Sequence, residues 1–87
     1  MNIEGLKKLL TTDIVTVIFT KKDGSKREMV CTTISDYLPP ASKIEHIKYP
    51  NDKLVTVWDL VSNGWRSFNF DSVLSIETDY SNYTVEK

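Results

Sequence analysis

The sequence is poor in the residues that most often build chemistry. It holds one cysteine, Cys31, and one histidine, His46, among 87 residues. A lone cysteine cannot close an intrachain disulfide, and secreted domains of this size usually carry several bridges, so a reducing, cytoplasmic setting is expected. Cysteine and histidine together supply too few ligands for a zinc site. There are three glycines, with no glycine-rich phosphate loop and no G-x-G-x-x-G. No nucleophile is placed beside His46 in sequence. No apolar run approaches the ~20 residues needed to span a membrane. The first ten residues lack the apolar core of a signal peptide. Charge of one sign is missing too, with 11 basic and 12 acidic side chains and a net charge of −1. Any attraction for nucleic acid must therefore come from a local patch. These absences point to a protein without enzymatic activity, cofactor, metal or membrane contact. A small hydrolase or nuclease using His46 is the remaining catalytic alternative.

What is present favours strands. Val, Ile, Thr and aromatic residues are plentiful, and 87 residues make one domain. Residues 2–11 read as a helix, with Asn2 as N-cap and Glu4 in the first turn; Ile3, Leu6, Leu9 and Leu10 form its apolar stripe. Residues 13–20 alternate as a strand, with Val15, Val17 and Phe19 on one face. Lys22-Asp23-Gly24-Ser25 forms a hairpin turn with Gly24 at positive φ, and 26–34 returns. Residues 35–52 form a long loop broken by Pro39 and Pro40, with a candidate edge strand over 43–49. A strand over 53–61, an Asn63-Gly64 turn and a strand over 65–70 make a second hairpin. In that register Asp59 faces Phe68, Val57 faces Phe70, and Val55, Val57, Val61, Phe68 and Phe70 share the core face. A short strand over 73–77 follows. The predicted fold is mainly β: a small antiparallel barrel of five to six strands over 13–78, one N-terminal helix, and a loose polar tail over 79–87.

Several motifs sit on these hairpins in order: residues 21–29 (KKDGSKREM), Cys31-Thr32, residues 57–60 (VWDL) and residues 64–68 (GWRSF). Together they resemble the second WYL family, small proteins found mainly in tailed bacteriophages and described as Sm-like or Src-homology-3-like barrels. The resemblance covers roughly residues 14–77, leaving the helix, the 39–52 region and the tail outside. It implies a phage origin, a barrel, the cytoplasm of an infected host cell, and a class of function: binding host factors or nucleic acid. It brings no reaction and no defined set of binding residues.

Candidate binding residues fall into two groups. Lys21, Lys22, Lys26 and Arg27 flank the first hairpin tip, where they either hold phosphates or serve as edge-protecting, solvated lysines. Trp58 and Trp65 point away from the core face, either as anchors for a partner or covered by the helix or tail. Arg66 lies on the core face, either bridged to Asp59 or open to a phosphate or carboxylate. Tyr37 and Tyr49 add aromatic surface from the long loop. The expected function is that of a non-enzymatic phage protein that modulates or inhibits a host factor, such as a defence or toxin nuclease, with RNA in the complex. The alternative is an Sm-like RNA- or DNA-binding module acting through the basic hairpin. A homodimer or higher homo-oligomer is expected in either case.

Overall fold

Asn2 opens the helix because its short side chain can satisfy a donor of the first turn. In the computed structural model, which describes residues 1–39 and 52–86, the Asn2 side-chain oxygen accepts from the Gly5 N–H at 2.9 Å. Such a cap is worth about 1 kcal/mol. Helix α1 runs Ile3–Leu10. Leu6 and Leu10, four residues apart on one face, are completely buried. Thr32 fixes the end of the helix. Its hydroxyl lies 3.1 Å from the Leu10 carbonyl and 3.0 Å from that of Asp13, sharing one proton between them, and accepts from the Ile34 N–H at 3.1 Å.

Six strands follow: β1 Val15–Thr20, β2 Lys26–Thr32, β3 Leu54–Asp59, β4 Gly64–Asn69, β5 Val73–Glu77 and β6 Asn82–Tyr83. They form one antiparallel sheet in the order β4-β3-β2-β1-β5-β6. The first hairpin turns as its sequence predicts. Gly24 has φ 89°, its N–H donates to the Lys21 carbonyl at 3.0 Å, and the Lys21 N–H donates to Ser25 at 2.7 Å. Alternation along β1 buries Val15, Val17 and Phe19 on the concave face. Val55 and Val57 of β3, Phe68 of β4 and Ile76 of β5 join them, with Leu6 and Leu10 of α1.

The expected barrel is a strongly curled sheet that does not close. Among the described residues no ladder joins β4 to β6, and β6 is only two residues long. Side chains complete the curl instead. Phe19 of β1 and Phe68 of β4 stack at 5.5 Å between ring centroids, although two strands separate theirs in the sheet. A bulge between Ile18 and Phe19 in the β1–β5 pairing adds local twist.

Two other expectations change. The tail is not loose. Within it β6 pairs with β5, the Glu86 N–H donates to the Met1 carbonyl at 2.8 Å, and the Met1 ammonium donates to the Thr84 carbonyl at 2.6 Å. Tyr83 and Val85 pack against the core, which supplies the apolar contact that a merely polar reading of the tail overlooks. The second hairpin has a different register. Asp59 pairs with Gly64, Val57 with Arg66 and Val55 with Phe68, so residues 60–63 form the turn. Asn63, at φ 55°, takes the left-handed position. Val61 is therefore a turn residue, 78% exposed, and not part of the core. The expected strand over 43–49 lies outside the described residues.

Candidate functional site

The curl leaves an open cleft of about 900 Å³ at the end of the sheet away from α1. Its floor is apolar: Phe19, Met29 and Phe68. Its rim carries Lys21, Lys22, Arg27 and Arg66. The sequence offered the hairpin cations and Arg66 as separate groups, and the fold gathers them around one opening. Asp71 is the single carboxylate in the lining, and Lys53 holds it at 2.9 Å. Four cations thus line the cleft against one carboxylate, with Arg27 paired to Asp59 and Asp71 to Lys53, in a chain whose net charge is −1.

The hairpin tip keeps its own carboxylate occupied. Asp23 accepts from the Ser25 hydroxyl at 2.6 Å and the Ser25 N–H at 2.9 Å. These bonds hold its carboxyl below the usual range, with a smaller contribution from Lys21. Among the described residues Lys21 and Lys22 form no ion pair.

Asp59 does not line the cleft itself but holds Arg27, which does. Asp59 is 2% exposed. One carboxylate oxygen accepts from the Val61 and Ser62 N–H groups at 2.9 and 3.1 Å, tying the turn. The other meets the Arg27 guanidinium at 3.1 Å. Burial pushes the Asp59 carboxyl up, but the bonds from Ser62 and Val61, with Arg27 beside them, outweigh it and leave it below the usual carboxylate range. The expected Asp59–Arg66 bridge is therefore replaced by Asp59–Arg27. The physical reason is reach: β2 runs beside β3, bringing Cys31 opposite Asp59 and the Arg27 side chain over it.

Arg66 does lie on the concave face, opposite Val57. Its Nη1 donates to the Trp65 carbonyl at 2.9 Å. The guanidinium also rests over Gly64, where an added Cβ would stand 3.0 Å from Nη1 and 3.6 Å from Cζ. Gly64 is thus a space-maker for Arg66, while Asn63 supplies the positive φ.

The remaining sequence candidates lie elsewhere. Lys26 is exposed but does not line the cleft. Trp58 and Trp65 are directly paired on the convex face, half-buried, with rings in edge contact at 5.4 Å and 82°. Tyr37, in a 3₁₀ turn over Ser35–Tyr37, is 48% exposed and away from the cleft. Tyr49 and His46 lie outside the described residues. The sequence reading missed Met29 and Phe19 as floor residues and Asp59 as the partner of Arg27. The alternation of β1 contained the signal for Phe19, whereas the 32-residue separation of Arg27 and Asp59 left none. Cys31 is buried beside Asp59, and burial first, then that carboxylate, pushes its thiol up to about 12. Among the described residues no three His, Cys, Asp or Glu side chains gather as a metal cluster, and no helix is long and apolar enough to cross a membrane.

A curled antiparallel sheet with one short N-terminal helix is the architecture of a small Sm-like domain. Residues 3–74 match the family described as WYL_2, Sm-like SH3 beta-barrel fold, and the chain belongs to that family. The match takes in the helix and the whole region over 39–52, which the motif resemblance left out. A relative from Enterobacteria phage T4, "Uncharacterized 11.5 kDa protein in Gp31-cd intergenic region", is 29% identical over 76 residues, covering 84% of this chain and 74% of the relative. The protein is a small phage protein with an Sm-like, SH3-type domain. No solved structure matches it.

Proposed function

We propose that this phage protein acts by binding rather than by catalysis, and that single-stranded nucleic acid, RNA first, occupies the cleft while the protein modulates a host factor. The carrying observation is the concentration of Lys21, Lys22, Arg27 and Arg66 around an apolar floor in a chain of net charge −1. Phosphates provide the charge that this rim complements, and exposed bases would cover the small part of the apolar floor that core packing leaves open. A duplex keeps its bases stacked and paired, whereas a flexible strand leaves them free to enter an open cleft.

Fluorescence anisotropy with labelled single-stranded RNA and DNA, across a salt series, tests the reading. Binding should weaken steeply with salt, and the Lys21→Glu/Lys22→Glu double variant should lose at least about tenfold in affinity. Unchanged binding in that variant, or salt-independent binding, excludes the cleft as the nucleic-acid site.

The Trp58–Trp65 pair supports a second reading, contact with a host protein on the convex face. That contact would tolerate salt and fail on Trp58→Ala. Affinity purification from infected cells, with and without ribonuclease, separates the two routes to a host factor. The outer edge of β4, unpaired among the described residues, is the edge through which copies would join, and light scattering tests that.

A further inference from the structure

The two arginines of the cleft differ from its two lysines in being held. Arg27 has one nitrogen committed to Asp59 at 3.1 Å, and Asp59 is itself fixed by two backbone N–H groups. Arg66 has one nitrogen committed to the Trp65 carbonyl at 2.9 Å and lies across the bare backbone of Gly64. Gly64 is in turn the strand partner of Asp59. Directly opposed residues in an antiparallel pair stand about 5 Å apart. Asp59 and Gly64 thus link the two guanidiniums through one chain of contacts, and both arginines line the same cleft. Each guanidinium has five N–H donors in a rigid fork, and each keeps donors that no contact with a described residue uses. Asp59 is engaged with Arg27 and the turn, so Arg66 has no carboxylate partner among the described residues.

We infer that Arg27 and Arg66 form a two-arginine grip for a single phosphate group, with Asp59 and Gly64 as positioning residues, and that Lys21 and Lys22 attract the ligand without fixing it. This deepens the nucleic-acid reading and rests on it for the source of the phosphate, but the grip itself is a statement about phosphate chemistry. Planar forks bind phosphate oxygens in pairs, whereas an ammonium acts as a point charge. The grip should therefore discriminate geometry as well as charge. The phosphate is supplied either by a diester within a strand or by a terminal or free monoester.

Two variants separate holding from charge. Arg66→Lys keeps the charge and removes the fork. Gly64→Ala keeps every charged group and puts a methyl where the guanidinium rests; φ at Gly64 is not in the left-handed region, so the backbone accepts alanine. Arg66→Lys should lower affinity for a single-stranded oligonucleotide about tenfold or more at fixed salt, and Gly64→Ala, which shifts the exposed guanidinium without removing it, should lower it by a smaller but measurable factor. Their salt slopes should stay near the wild-type value, because no cation is lost. Lys22→Gln should do the reverse, flattening the slope by about 0.7 with a smaller loss at low salt. Lys8→Gln, on the exposed face of α1, is the charge-matched control. Thermal melts of each variant confirm the fold.

A second arm uses the unmodified protein with inorganic phosphate, a nucleoside monophosphate and an internal-diester dinucleotide, read by the Nε–H signals of Arg27 and Arg66 in nitrogen-edited NMR. Joint movement of both signals supports the grip, and which ligand moves them first identifies the source. If Arg66→Lys and Gly64→Ala bind like wild type while Lys21→Glu/Lys22→Glu fails, the grip is wrong and the nucleic-acid reading stands. If phosphate moves both signals but no oligonucleotide binds, the grip stands and that reading falls. If neither arginine signal responds to any of the three ligands, the grip is overturned.

Discussion

The two hairpins share a plan and use glycine in opposite ways. In the first, between β1 and β2, Gly24 is the turn: φ 89° is open to it, and nothing stands within 4 Å of an added Cβ. In the second, between β3 and β4, Gly64 has an ordinary backbone, and its missing side chain makes room for a guanidinium. The first tip is polar, exposed and self-contained, with Asp23 bonded to Ser25. The second is anchored from below by buried Asp59, which also reaches across to Arg27. The contrast teaches that one hairpin presents charge and the other holds it in place.

Four experiments press on that contrast, the largest effect first. Asp59→Ala removes two turn bonds and leaves Arg27 without its partner. A loss of about 3 kcal/mol is expected in denaturant unfolding, at the low end for a buried pair because Arg27 is itself partly exposed. Asp59 also carries a pH signature. Its folded carboxyl titrates below its unfolded value, so its contribution is complete at neutral pH and fades as pH falls through the ordinary carboxylate range and below. Stability measured from neutral pH to about pH 3 should fall less steeply in Asp59→Asn than in the wild type. An equal slope in both removes Asp59 from that role.

The glycines come next. Gly24→Ala should cost about 1–2 kcal/mol, because a Cβ is poorly tolerated at positive φ. Gly64→Ala should stay within about 0.5 kcal/mol of wild type, since alanine is at least as good in a strand. A similar loss at both sites would show that the two glycines have one job. The smallest structural effect concerns Cys31, between the hairpins on β2. With its thiol pushed up to about 12, alkylation of the native protein at pH 8 should run more than about 100-fold slower than of the unfolded chain. Comparable rates would mean that the β2–β3 contact opens readily.

The sequence made much of this fold readable because its signals were local. Asn2 before an amphipathic stripe, the alternation of Val15, Val17 and Phe19, and the Asp23-Gly24 turn are each decided within a few residues. The second hairpin misled for a physical reason. Asn-Gly commonly marks a two-residue turn, but Asp59 accepts from Val61 and Ser62 and stabilises a longer one, which slides the register. That slide exposed Val61; the partner of Asp59 was decided separately, by β2 lying beside β3 and bringing Arg27 within reach. The tail was underread for two reasons: its Met1 anchor lies at the other end of the chain, and its local hairpin with β5 carries a β6 of only two residues, too short for an alternation to show. Of the site, the cations were visible as a cluster and as a single arginine. Their convergence depends on the curl of the sheet, which no local pattern encodes.

The stacked rings of Phe19 and Phe68 close the curl without a hydrogen-bonded ladder. A ladder fixes strand separation to about 5 Å, whereas two rings set a spacing that depends on their own bulk. The width of the opening is then an adjustable aperture, determined by side-chain volume. Trimming Phe68 to leucine would change the size of the mouth while leaving every charge in place, so the shape of the opening and its charge are set by different residues.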